Sequence, residues 1–157
     1  MRAGVAAVQR GANLRGKPTI IVHGRNDTLA PPNFSSRPNV LRNAQVEGAA
    51  SRVRCIEVTN AQHFDASPPF PGYDTRYVPL HRCFIRAMDA MWAHLRSSAA
   101  LPSSQLVRTA PGGGTPGAAN PIAAANVPAF AASPRVPSAR PRRAPARSSR
   151  SAAAGGR

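Results

Sequence analysis

The 157 residues carry 21 Lys and Arg against six Asp and Glu, a formal charge of +15, together with 17 Pro and 12 Gly. All six acids lie between Asp27 and Asp89, and seven of the eight aromatics between Phe34 and Trp92, so the central stretch alone has the makings of a core. No apolar run reaches the roughly 18 residues of a membrane helix, and Met1–Arg10 lacks the apolar segment of an export signal.

The charge divides unevenly: +3 over residues 1–16, +4 over 17–96, +1 over 97–133 and +7 over 134–157. This predicts a poorly ordered lead-in over 1–16 and a foldable unit over 17–96. An extended low-complexity segment over 97–133 and a basic disordered tail over 134–157 follow, both too poor in apolar bulk to offset chain entropy.

Thr19-Ile-Ile-Val22, bounded by Pro18 and Gly24, reads as a strand buried on both faces. A turn-rich loop follows from Gly24 to Pro32. Capping residues from Asn33 to Ser36, with Pro38 suited to a first turn, predict a short helix through Val40, Leu41 and Val46 that stops before Gly48. Val53–Val58 reads as a second strand, with the polar loop Thr59–Asp65 at its end. After a Pro- and Gly-rich loop from Ser67 to Tyr77, Pro79–Arg96 is the clearest helix: Leu80, Phe84, Met88, Met91, Trp92 and Leu95 recur at three- and four-residue steps, and this stripe is expected to pack as core.

Strand, helix, strand, helix predicts an α/β fold with a parallel pair and a crossover. Two strands are too few to stand alone as such a sheet. In open α/β sheets functional groups gather at the carboxyl ends of strands. Asp27 and His63 each follow such an end, and a carboxylate with an imidazole suits acid–histidine catalysis: the acid fixes the tautomer and the other ring nitrogen moves a nucleophile's proton. No serine stands in Gly-x-Ser-x-Gly, so this chain offers no nucleophile of that type.

The flanking residues extend the pattern. Gly24–Pro31 resembles the acid loop of α/β-hydrolases, and Asn60–Asp65 the histidine loop. More specifically, Asn13–Arg25, Val46–Ser51, Ile56–Ala66, Gly72–His81 and Ala90–Leu95 together resemble the C-terminal region of the D-3-hydroxybutyrate oligomer hydrolase family, continued more weakly by Ala100–Thr109 and Ala124–Pro128. The resemblance spans roughly residues 11–130 and about the last fifth of the family's length. It implies the C-terminal portion of an α/β-hydrolase-type parallel sheet. It also implies hydrolysis of ester bonds in dimers and oligomers of D-3-hydroxybutyrate, the products of polyhydroxybutyrate breakdown. Asp27 is then the catalytic acid, His63 the base, no cofactor or metal is implied, and the complete enzyme is secreted; a chain without an export signal stays in the cytoplasm. Lacking the serine, the isolated chain is predicted to be inactive. The loop Asp65–Gly72 is shorter and richer in proline than the family's. From about Ser133 the Arg/Pro/Ala/Ser sequence resembles nothing in the family and has the alphabet of a GC-rich gene read out of frame.

Plainer roles stand beside these. Asp27 suits an Asx-turn or a helix cap, and His63 a loop histidine bonded to backbone. Asp65 suits a local turn or a surface contact with Arg76. His81 in a first helical turn is either structural or ligand-contacting, and His94 is expected on a solvated face. Cys55 and Cys83 have no metal-ligand spacing and no assignable disulfide; Cys55 reads as a small buried hydrophobe with an inert thiol. The alternative function is polyanion or nucleic-acid binding by the seven arginines of 134–157, without aromatic stacking. Oligomeric state is not readable from the sequence.

Overall fold

The computed structural model describes residues 3–4, 11–63, 65 and 70–132. The expected tail over 134–157, and residues 66–69 of the loop after His63, lie outside these.

Three parallel strands form the sheet in the order β1 (Thr19–Gly24), β2 (Val53–Val58) and β3 (Gln105–Val107). Thr19 lies opposite Val53 and Gly24 opposite Val58, so both strands end level with one another. The expected helix after the first loop is α1 (Ser36–Glu47), ended by Gly48 at φ 53°. A single turn, α2 (Tyr73–Arg76), precedes the long helix α3 (His81–Ser97).

The two-strand expectation falls short by β3, which pairs with β2 through Ile56, Glu57 and Val58. The segment 97–133 is therefore no loose extension. Val107 and Val127 are buried in the core with Ile56, Val58, Ala61, Val78 and Cys83, and Phe130 packs against them. Arg86 ties it down by donating to the Val127 and Pro128 carbonyls at 2.8 Å each. Residues 11–16 of the lead-in are anchored too: Asn43, fully buried, donates to Ala12 O at 2.8 Å, and Glu47 accepts the Leu14 and Gly16 amides.

Side chains alternate across the sheet, which gives it two helical covers. Ile20, Val22, Ile56 and Val58 face the core that receives Cys83 of α3. Glu57 points the other way and meets Arg37 of α1 in a two-pronged ion pair, Nε–Oε1 and Nη2–Oε2 both at 2.6 Å. The paired guanidinium holds the Glu57 carboxyl below its ordinary range although burial opposes it. Such a depressed carboxylate contributes stability above its unfolded pKa of about 4.3, and the contribution is lost as pH falls through the lowered folded value. Glu57→Gln is expected to cost about 1 kcal/mol at pH 7, a modest figure because the Arg37 side chain is 39% exposed. Urea unfolding checks this: the two midpoints should separate at pH 7 and converge as pH falls through the lowered Glu57 value.

The stripe on α3 departs from expectation. Leu80 packs against the core, but the helix buries Cys83 and Ala87, while Phe84, Met88, Trp92 and Leu95 are exposed and Met91 is half-buried. Periodicity marks an apolar face without saying which surface covers it. Cys55 is half-buried rather than buried; it and Cys83 are both free thiols, pushed up chiefly by burial. Among the described residues no helix is long and apolar enough to cross a membrane.

Candidate active site

Because β1 and β2 are parallel and end level, the loops that follow them emerge side by side. The two loops are stitched together by backbone: Arg25 N donates to Val58 O at 2.7 Å and Asn26 N to Ala61 O at 3.1 Å. Asn26 Oδ1 accepts the Asn60 amide at 2.9 Å, which holds Asn60 in the left-handed region at φ 51°. From the other side, Asn60 Nδ2 donates to Thr109 O at 2.9 Å, and Thr109 and Thr59 bond each other. The histidine loop is thus gripped by the acid loop on one flank and by the residues after β3 on the other.

This stitching brings Asp27 and His63 together. Asp27 Oδ1 accepts the Leu29 and Ala30 amides at 2.9 and 3.0 Å, and Oδ2 accepts from His63 Nδ1 at 2.9 Å. The Asx-turn and the contact with histidine therefore coexist, one on each oxygen. Burial acts to raise the Asp27 carboxyl, but the Ala30 amide, the His63 ring and the Leu29 amide outweigh it and hold the group below its ordinary range. The Asp27 side chain is 2% exposed and that of His63 49%. With Nδ1–H committed to a carboxylate, Nε2 is the ring nitrogen able to take up and return a proton.

His23, which sequence reasoning passed over, approaches the same Asp27 oxygen as His63. Its Nε2 donates to Ala30 O at 2.8 Å and lies 3.6 Å from Asp27 Oδ2. Its signal was its place four residues before Asp27 at a strand end. Asn26, Asn60 and Thr109 were missed as well; of these, Asn60 had a readable cue, since Asn tolerates the left-handed region at a strand end.

The remaining candidates lie elsewhere. Asp65 contacts neither His63 as a rival acid nor Arg76: its oxygens accept the Leu80 and His81 amides at 2.6 and 2.5 Å, capping α3 where orphan amides and the helix dipole favour an anion. Arg76 instead donates to Gly72 O at 2.9 Å. His81 is exposed and stacks on Phe84 with centroids 6.0 Å apart. His94 is not a solvated face residue, because it is half-buried and its Nδ1 donates to Ala99 O at 2.7 Å while Nε2 accepts from Arg52 at 2.6 Å. The hydroxyls of Ser35, Ser51, Ser97 and Ser104 are engaged with backbone groups or with Asn43. A cleft of about 210 Å³ opens beside the histidine loop, lined by Gln62, Asp65, Tyr73, Tyr77, Pro79 and Ile122.

Fold and site together define a parallel α/β unit that carries an acid–histidine pair at the carboxyl ends of adjacent strands. The chain belongs to the 3HB-oligomer hydrolase family, whose pattern it matches over residues 1–140, wider at both ends than the resemblance drawn over 11–130. A D-(-)-3-hydroxybutyrate oligomer hydrolase of Paracidovorax citrulli is 57% identical over 138 residues, covering 85% of this chain and 20% of that protein. Proteins of the same name from Polaromonas naphthalenivorans and Albidiferax ferrireducens are each 60% identical, covering 85% and 82% of this chain and 19% and 18% of their own lengths. The chain thus spans about one fifth of the length of these curated relatives. No solved structure matches it.

Proposed function

We propose that this chain supplies the acid–histidine half of a carboxylic ester hydrolase acting on D-3-hydroxybutyrate dimers and oligomers, in an α/β-hydrolase-type site. The 2.9 Å contact of Asp27 Oδ2 with His63 Nδ1 carries the reading, at the paired strand ends where this chemistry needs it. Family membership supplies the substrate class, since the relatives are named for these oligomers.

In this reading His63 Nε2 takes the proton of a serine hydroxyl furnished by the part of the enzyme outside this chain. The serine oxygen bonds to the ester carbonyl carbon. When the C–O bond to the departing hydroxybutyrate unit breaks, His63 returns the proton to that oxygen. Water, activated by the same nitrogen, then releases the acyl group. Asp27 holds the ring and stabilises its protonated form throughout. The largely apolar walls of the cleft along the histidine loop, which Gln62 lines, suit a short aliphatic ester.

The test grafts residues 11–130 in place of the matching stretch of the Polaromonas naphthalenivorans relative and assays release of 3-hydroxybutyrate from its trimer. The graft is expected to hydrolyse the trimer, and the chain alone to give no turnover above buffer. Turnover by the chain alone that vanishes in His63→Ala would show that it holds its own nucleophile and overturn the half-site reading.

A further inference from the structure

The sheet has two edge strands, β1 and β3, and β1 is the longer of them. Among the described residues β1 pairs with β2 alone, and its first five residues are all half-buried, whereas β2 buries Val53, Ile56 and Val58. Helix α3 packs over this same edge strand. Its outer surface is apolar: Phe84, Met88, Trp92 and Leu95 are 48, 56, 64 and 66% exposed, with Ile85 alongside at 41%. At 100° per residue the first four fall within an arc of about 80°, so they form one stripe rather than scattered contacts. Arg96 lies over the Trp92 ring at 5.6 Å and borders it. An unpaired strand edge beside a contiguous apolar stripe is a combination that soluble chains cover.

What covers it follows from two facts already established. The chain spans about one fifth of its relatives' length, leaving four fifths of a closely related enzyme unaccounted for. The strand with the open edge is also the strand that leads into Asp27. A further parallel strand laid against β1 ends level with it and delivers its following loop beside Asp27 and His63, where the half-site requires a nucleophile.

We propose that the open edge of β1 and the apolar stripe of α3 form one docking surface for the portion of the family's enzyme that this chain does not span, with a strand parallel to β1 and an apolar face against the helix. The choice of occupant rests on the half-site reading; the surface itself rests on the exposure and pairing above.

The test produces the Polaromonas naphthalenivorans relative without the stretch matching residues 11–130 and mixes it with this chain. A stoichiometric complex is expected by size-exclusion chromatography, weakened at least tenfold in the Met88→Lys, Trp92→Lys double variant, whose substitutions touch exposed positions only. Failure of the folded partner to bind at micromolar concentration overturns the proposal. So does sedimentation showing that the chain alone is a dimer dissociated by the same double variant, since a second copy would then be the occupant. Because the truncated relative is itself at risk of misfolding, a second measurement uses Met88→Cys. Its thiol should react with a maleimide at least ten times more slowly in the grafted full-length enzyme than in the isolated chain, and equal rates overturn the proposal. A complex that forms and protects Cys at position 88 yet hydrolyses no trimer supports the docking surface and counts against the catalytic reading alone.

Discussion

In the grafted enzyme, His63→Ala is expected to lower kcat on the hydroxybutyrate trimer by roughly 10⁵- to 10⁶-fold with little change in KM, the loss typical of removing the proton-transferring group of a serine triad. Asp27→Asn separates position from charge. The Asn carbonyl oxygen can still accept the Leu29 and Ala30 amides, but the amide NH2 now faces His63 Nδ1, where a carboxylate oxygen accepted at 2.9 Å. The ring is then driven to the tautomer with its proton on Nε2, the wrong nitrogen for a base, and a loss on the order of 10⁴-fold in kcat is expected. Activity of either variant within tenfold of the parent would remove the pair from the chemistry. The sign of the pH effect on Asp27 is fixed by its depressed carboxyl. Its contribution to stability is complete above the ordinary value of about 3.9 and is lost only as pH falls through the lowered one, so the acid stays ionised wherever the enzyme works.

Gly24→Ala is expected to destabilise the chain by about 2–4 kcal/mol, although it adds one methyl group. A Cβ at Gly24 would stand 2.6 Å from Ala61 O, 2.8 Å from Ala61 C and 2.8 Å from Gln62 O. All three are backbone atoms of the histidine loop, so no rotamer change relieves the overlap and the two loops must part. That movement strains the Asn26 N to Ala61 O bond of 3.1 Å and draws His63 away from Asp27. The control is Gly11→Ala, where the added carbon meets nothing within 4 Å and urea unfolding should change by under about 0.5 kcal/mol. A Gly24→Ala midpoint equal to that of the control would show that the loops yield freely and that the dyad is not held by this contact.

Strong local signals carried the legible part of the fold. Val53–Val58 reads as a strand because β-branched and apolar residues crowd it, and it is one from end to end; Gly48 stops α1 where its permitted φ is needed. Asp27 and His63 were legible as neighbours since parallel strands leave only one end at which their loops can meet. β3 was not, because Gln105-Leu-Val107 is three residues set among Ser, Pro and Gly, and only the neighbouring β2 makes it a strand. The role of Asp65 was hidden for a similar reason: its partners are backbone amides 15 and 16 residues away, and such pairs leave no trace in spacing. The α3 stripe shows the opposite failure, a correct periodicity assigned to the wrong surface.

Gln105 bonds Ala131 twice, its Oε1 accepting Ala131 N at 2.7 Å and its Nε2 donating to Ala131 O at 3.3 Å. Since Gln105 opens β3 opposite Ile56, midway along β2, the chain is returned to the outer side of β3, two strands away from the edge formed by β1. An affinity tag or a surface tether joined just beyond residue 131 therefore starts at the β3 edge and leaves the β1 edge, at the other side of the sheet, clear.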